Sequence, residues 1–258
     1  TYRKTGAGTT YVQTSFTNAG TVDIDAGTLN LSGDSTLSGT IDLASGAVLH
    51  FSGGTHSLNG PSLTGAAGGL LRVSSGTITV TGAVNLPTVQ VQSGTLNATD
   101  AGAKLEALIL NGGTFNFGGT DSILGFTQTG GTLSGAGVLT VTGAASYGGG
   151  GSKSQTGTGS TIHNGAVTLG SGSINLDGGR LLEFKGGVTT DSSNFTIYLN
   201  SGALAGTDTL RNAAGSTFLD QTSSYGQIIA NSNTGLFENL GTYRKTGAGT
   251  TYVQTSFT

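Results

Sequence analysis

The sequence predicts an all-β chain, a right-handed parallel β-solenoid (β-helix) with coils of about 18–20 residues. Three observations carry this. A Gly-Thr or Gly-Ser step recurs before apolar-x-apolar triplets. Gly76, Gly94, Gly113 and Gly131 follow one another at spacings of 18, 19 and 18. No long amphipathic helical period interrupts them, the nearest being AGAKLEALIL at 101–110.

The triplets include GTVDI at Gly20, GTLNL at Gly27, GTIDL at Gly39, GTITV at Gly76, GTLNA at Gly94, GTFNF at Gly113 and GSINL at Gly172. Alternation at period 2 marks strands with one buried face, so Val22, Ile24, Leu29 and Leu31 are expected inward and Asp23, Asp25 and Asn30 outward. Glycine tolerates positive φ, which lets the chain bend between short strands. One coil buries little, whereas stacked coils satisfy each other's backbone groups. At a strand spacing of ~4.8 Å, about thirteen such coils give a rod of about 60 Å. Handedness follows from the preference of parallel crossovers.

A second repeat is larger. Residues 1–17, TYRKTGAGTTYVQTSFT, recur unchanged at 242–258, 241 positions on. The expected organisation is one tandem repeat unit at 1–241, with 242–258 the start of the next. A duplication introduced deliberately gives the same pattern, and either origin requires that the end of one copy can continue into the start of another. Asn18, Asn212 and Asn239 each follow an apolar run just before a glycine step, positions where asparagines can stack as a ladder or simply form turns. Ser146–Thr161 has few apolar residues and is expected as a bulged corner or loop. AGAKLEALIL and the segment around Tyr198 are expected as broader strands, with Leu105, Leu108 and Leu110 alternatively an excursion at one corner.

Composition narrows the function. The 258 residues hold 48 glycines, two prolines, no cysteine and only 9% charged side chains, with a net charge of −3. Collagen needs a strict three-residue glycine period, which is absent, and the recurring apolar residues argue against disorder. Scattered Lys and Arg leave no basic stripe, so no nucleic acid is expected as partner. No apolar run approaches the ~18 to 20 residues of a membrane span, and the signal for any secretion is expected outside these residues. Low charge suits stacked coils, because a ladder of like charges repels.

No catalytic, cofactor-binding or metal-ligating set is expected, and the chain is read as not an enzyme. Polysaccharide cleavage would need converging carboxylates, for which Asp23, Asp25 and Asp42, or Arg180, Glu183 and Lys185, are the nearest candidates. Both groups read better as surface charges that keep a rod soluble, the second flanking an apolar run. His50, His56 and His163 lack metal-ligand spacing, and His50 is expected at the surface or a turn. Thr-x-Thr pairs at Thr77, Thr140 and Thr207 raise ice binding, but their spacing gives no continuous array. Outward tyrosines such as Tyr2, Tyr11, Tyr147 and Tyr198 offer a surface for glycans or cells.

The motif chain FTNAGTVDIDAGTLNLSG, FSGGTHSLNG, GTLSGAGVLTVTGAASYGGG and GTYRKTGAGTTYV resembles very long bacterial cell-surface repeat proteins, the autotransporter passengers and filamentous-haemagglutinin-like adhesins. The resemblance implies export, a cell-surface or extracellular place, and fibre formation or adhesion. It carries over no catalytic residue. The expected role is a rigid extracellular filament, stalk or fibre whose partners are other copies of the repeat, head to tail in the same or a neighbouring chain. An adhesin surface is the alternative.

Overall fold

The computed structural model describes all residues except 60–62, 66–67, 82–84, 100–103, 192 and 232–233. The described residues form 33 strands and no helix, and their strands pair in parallel, as between Tyr2–Lys4 and Val22–Ile24. The chain is a parallel β-solenoid with coils of about 21 residues, in two compact units, Thr1–Ser122 and Ile123–Thr258.

In the first unit one face stacks Thr9–Val12, Thr28–Leu31, Val48–Asn59, Leu70–Thr81, Asn85–Val91 and Lys104–Leu110. Its inner surface carries two apolar ladders. Leu29, Leu49, Leu71, Val89 and Leu108 occupy one register row, and Leu31, Phe51, Val73, Val91 and Leu110 the next. All ten are fully buried. Burial of each such side chain contributes about 1.5–3 kcal/mol, so these rows are the main stabilising element of the unit. Val22 and Ile24 are buried as the alternation requires, in a second face of Tyr2–Lys4, Val22–Ile24, Ile41–Leu43 and Leu63–Gly65.

The glycine rhythm has a steric cause. Gly54, Gly76, Gly94 and Gly113 all have positive φ, between 61° and 81°. They also stack on one another: a Cβ on Gly94 would lie 2.6 Å from the Gly76 carbonyl oxygen, and one on Gly113 2.5 Å from that of Gly94. Any side chain at this corner would force the coils apart.

The second unit has three faces of six strands each. They begin at Gly125–Gln128, Thr132–Ser134 and Val138–Val141, and they end at Thr242–Lys245, Thr250–Gln254 and Ser256–Phe257 respectively. Its core is more aromatic: Phe184, Phe218 and Phe237 follow with ring centroids 6.2 and 6.0 Å apart.

Several expectations are corrected. Coils are longer than 18–20 residues because excursions are inserted: Thr77 pairs with Thr95, but Leu181 pairs with Thr209 across the stretch around Asn200–Asp208. About 11 turns result, fewer than thirteen. Asn30 faces away from the leucine rows yet is buried, because the next coil covers it: its amide nitrogen lies 3.0 Å from His50 Nδ1, and its carbonyl accepts from Ser52 Oγ at 2.7 Å. Ser146–Thr161 is no loop. It contributes strand Ser152–Thr156 whose Lys153 and Gln155 point inward and are buried. Polar side chains fit there because the coil's carbonyls turn in to meet them: Lys153 Nζ donates to Gly148 O, Gly151 O and Ser171 O at 3.0, 2.9 and 3.1 Å. Lys104–Leu110 is a strand with Leu105, Leu108 and Leu110 buried, so the excursion alternative falls away; residues 101–103 lie outside the described set.

Candidate functional site

The duplicated segment is the feature most able to act, because the structure shows it in two settings. At 1–17 it forms strands Tyr2–Lys4, Thr9–Val12 and Phe16–Asn18, which pair forwards with Val22–Ile24, Thr28–Leu31 and Ser35–Leu37. At 242–258 the same sequence pairs backwards, with Thr217–Asp220, Tyr225–Ala230 and Leu236–Asn239. The two copies pair through opposite edges. The two settings together define a coil with specific neighbours on both sides.

The backward pairing centres on Asp220, a fully buried carboxylate. It accepts from Tyr243 OH at 2.7 Å and Thr251 Oγ1 at 2.5 Å, from the backbone N–H of Thr222 at 3.0 Å, and it lies 3.5 Å from Lys245 Nζ. Burial alone would push its carboxyl pKa up, but the hydrogen bonds from Thr251, Tyr243 and Thr222 outweigh it and hold the group below its ordinary range. Burial and the adjacent carboxylate push the Tyr243 phenol up, so it stays a donor. Tyr243 also lies flat on Phe218, centroids 5.3 Å apart, and Phe257 on Phe237 at 5.0 Å. In the first copy the counterparts Tyr2 and Phe16 pack edge to face on each other instead, centroids 5.6 Å apart.

Beside this, Asn212 and Asn239 are register partners, and the Asn212 amide donates to the Asn239 carbonyl at 2.7 Å. The asparagine ladder therefore exists between these two. Asn18 stands apart from it, its carbonyl accepting from the N–H of Gly20 at 2.8 Å.

The residues weighed for chemistry have other engagements. Arg3, Asp23 and Asp42 form one register row. Arg3 reaches Asp23 at 3.1 Å and Asp25 at 2.9 Å, and packing with the charge of Asp25 raises the Asp23 carboxyl. Arg180 is not the surface charge expected but is buried. Its guanidinium donates to Thr161 Oγ1 at 2.9 Å and to the carbonyls of Gly135 and Thr156 at 3.2 and 3.5 Å, and burial lowers its pKa to about 10. Glu183, Arg211 and Glu238 alternate in sign down an outer row, with Lys185 3.5 Å from Glu183. Tyr147 is likewise buried, not outward. Its hydroxyl meets His163 Nε2 at 2.8 Å and accepts from Gln155 at 2.9 Å, in a polar cluster that the apolar pattern did not reveal. Burial lowers His163 to about 3. His50 is half-buried, while His56 is buried against Ser35 at 2.8 Å. No group of three His, Cys, Asp or Glu residues placed to hold a metal occurs among the described residues. Thr55, Thr77, Thr95 and Thr114 do form a continuous threonine row, but the row two residues on reads Ser57, Thr79, Asn97 and Asn116, so the paired columns of an ice-binding face do not form.

The chain matches no protein-family model, no curated protein and no solved structure.

The surface offers one further feature. Ser154, Asn175, Tyr198, Ser201 and Asn231 line an open groove of about 340 Å³ in the second unit. Ser154, Asn175 and Tyr198 are successive rungs of one outer row. Among the described residues, no charged one lines it.

Proposed function

We propose that this chain is a structural, non-catalytic element of an extracellular or cell-surface filament or stalk, built by head-to-tail stacking of 241-residue repeats. The observation that carries this is the pairing of one 17-residue sequence on opposite edges in its two positions. A coil that matches the end of a repeat on one side and its start on the other lets repeats follow one another with the backbone ladder unbroken. Uninterrupted strand pairing supplies stiffness, and each repeat covers the edge of the last, which would otherwise invite aggregation. The resemblance of the motif chain to bacterial surface repeat proteins supports export and the filament role. Electron microscopy of the native material tests it: about 11 turns per period at ~4.8 Å each predict fibres with an axial repeat of about 55 Å. Globular particles would refute it.

A second reading is adhesion through the rod face, favoured by the Tyr198 groove. A half-exposed aromatic ring beside amides and hydroxyls, with no charge, suits a neutral sugar, whose C–H face stacks on the ring while its hydroxyls meet Asn175 and Asn231. Binding to neutral oligosaccharides on an array, lost in Tyr198→Ala, is the expected result for this reading, and an unchanged array would exclude it.

A further inference from the structure

We propose, building on the adhesion reading above, that the Tyr198 groove takes the interior of an extended, neutral β-linked polysaccharide laid parallel to the solenoid axis, one sugar to each coil.

The direction comes from the register. Strands Ser152–Thr156, Gly172–Asp177, Phe195–Leu199 and Tyr225–Ala230 pair in succession, and their inward residues, such as Gln155, Leu176, Leu199 and Ala230, are buried. The outward residues between them line up as axial rows. One reads Ser154, Asn175, Tyr198 and Ile229, the other Ser152, Ser173, Thr196 and Gln227. Neither row carries a charge. Ser154, Asn175 and Tyr198 are the floor of the groove, while Ser201 and Asn231, each just beyond the end of its strand, stand at one side. The long dimension of the floor is therefore the rod axis, and its three rungs span about 10 Å at ~4.8 Å per step.

That spacing selects the ligand. A strand step is close to the advance per residue of an extended β-linked sugar chain, so successive sugars meet equivalent positions on successive coils. A coiled, α-linked chain loses the match. The Tyr198 ring offers a stacking face for one sugar. One coil along, the Asn175 amide nitrogen donates to Ser152 Oγ, which leaves its carbonyl oxygen to accept from a sugar hydroxyl. A uronate or sulfated chain would find no cation on either row, and a protein partner would need an apolar centre wider than one ring and Ile229. The floor row runs on in both directions, to Thr132 before Ser154 and to Ile229 after Tyr198. The chain can therefore enter and leave along the axis, and recognition needs no sugar end.

Calorimetric titration of the full chain with cello- and chito-oligosaccharides, from the single sugar to the hexamer, reads this. Affinity should climb about tenfold or more between the single sugar and the trimer, which fills the floor, and a methyl cap on the reducing end should change nothing. Tyr198→Ala should weaken every length about tenfold or more, while Tyr198→Phe, which keeps the ring, should retain binding and the original thermal melt. Ser154→Arg, two rungs along the axis, should weaken the trimer and longer chains but spare the single sugar. Thr196→Arg, beside Tyr198 on the same strand, should leave all lengths near the original. Loss in Thr196→Arg with Ser154→Arg silent places the sugar along the strand and overturns the axial proposal. Single sugars that bind as tightly as the trimer overturn it too, and sensitivity of that binding to Tyr198→Ala would leave the adhesion reading standing. If no neutral sugar binds, or polygalacturonate binds as tightly, both fail.

Discussion

Leu71→Ala is the most direct probe of the stacked interior. Leu71 is fully buried in the middle of a five-rung row, between Leu49 and Val89. Truncating a buried leucine removes its transfer free energy and leaves a cavity, about 2–5 kcal/mol in all. The rungs on both sides are backbone-paired and cannot close in, so the upper half of that range, about 4 kcal/mol, is expected. Its neighbour Arg72 points outward and donates to Gln90 Oε1 at 3.0 Å. Arg72→Ala should therefore cost less than about 1 kcal/mol. Urea unfolding of both variants measures the difference, and hydrogen exchange locates it. Coils contact only their neighbours, so faster exchange should appear first in Val48–Asn59 and Asn85–Val91. Equal losses for the two variants, or exchange raised evenly over the unit, would refute the inward ladder.

Other outcomes follow from the same packing. Ile24→Asp puts a carboxylate in the core and should cost about 3 kcal/mol or more, though less than Leu71→Asp because buried Lys4 is the next rung. Asp23→Ala should be nearly silent, since Arg3 keeps Asp25; equal thermal melts for Ile24→Asp and Asp23→Ala would contradict the facing. His163, lowered to about 3 by burial, stays neutral when folded but protonates near pH 6.5 when unfolded. The unfolded chain then binds the extra proton between those values, so stability should be lost as pH drops through that window, by about 1.4 kcal/mol per unit. His163→Phe, which fits the surrounding Phe126, Tyr147 and Phe184 rings, should remove that share of the slope in pH-dependent unfolding; an unchanged slope would show the ring is not buried neutral. Asn212→Ala leaves the Asn239 carbonyl without its donor and should cost about 1–2 kcal/mol in thermal unfolding, whereas Asn194→Ala, which removes an exposed acceptor of the Tyr225 N–H at 2.9 Å, should cost less.

The strands were legible because burial enforces period 2: Val22, Ile24, Leu29 and Leu31 declared their facing through alternation alone. The glycine corner was legible because a side chain there collides with the coil below, so Gly76, Gly94 and Gly113 recur at coil spacing. Polar interior residues were not legible. Lys153, Gln155 and Arg180 read as surface because their partners are backbone carbonyls and side chains on other coils, fixed only once the register is known. Asn30 misled for the same reason, being outward yet covered by His50 and Ser52. The repeated segment announced itself by identity, but the role of Asp220 could not be read from a lone aspartate 22 residues before the copy. It emerges only when Tyr243, Lys245 and Thr251 are seen to converge on it.

The claim that one coil serves both as the end of a repeat and the start of the next is tested by electron cryo-microscopy of a chain carrying two consecutive 241-residue periods. Continuous coil density through the joint, with Asp220 of the first period against the Tyr, Lys and Thr of the second, is the expected result. Two separate bodies tethered by an unpaired stretch would contradict it.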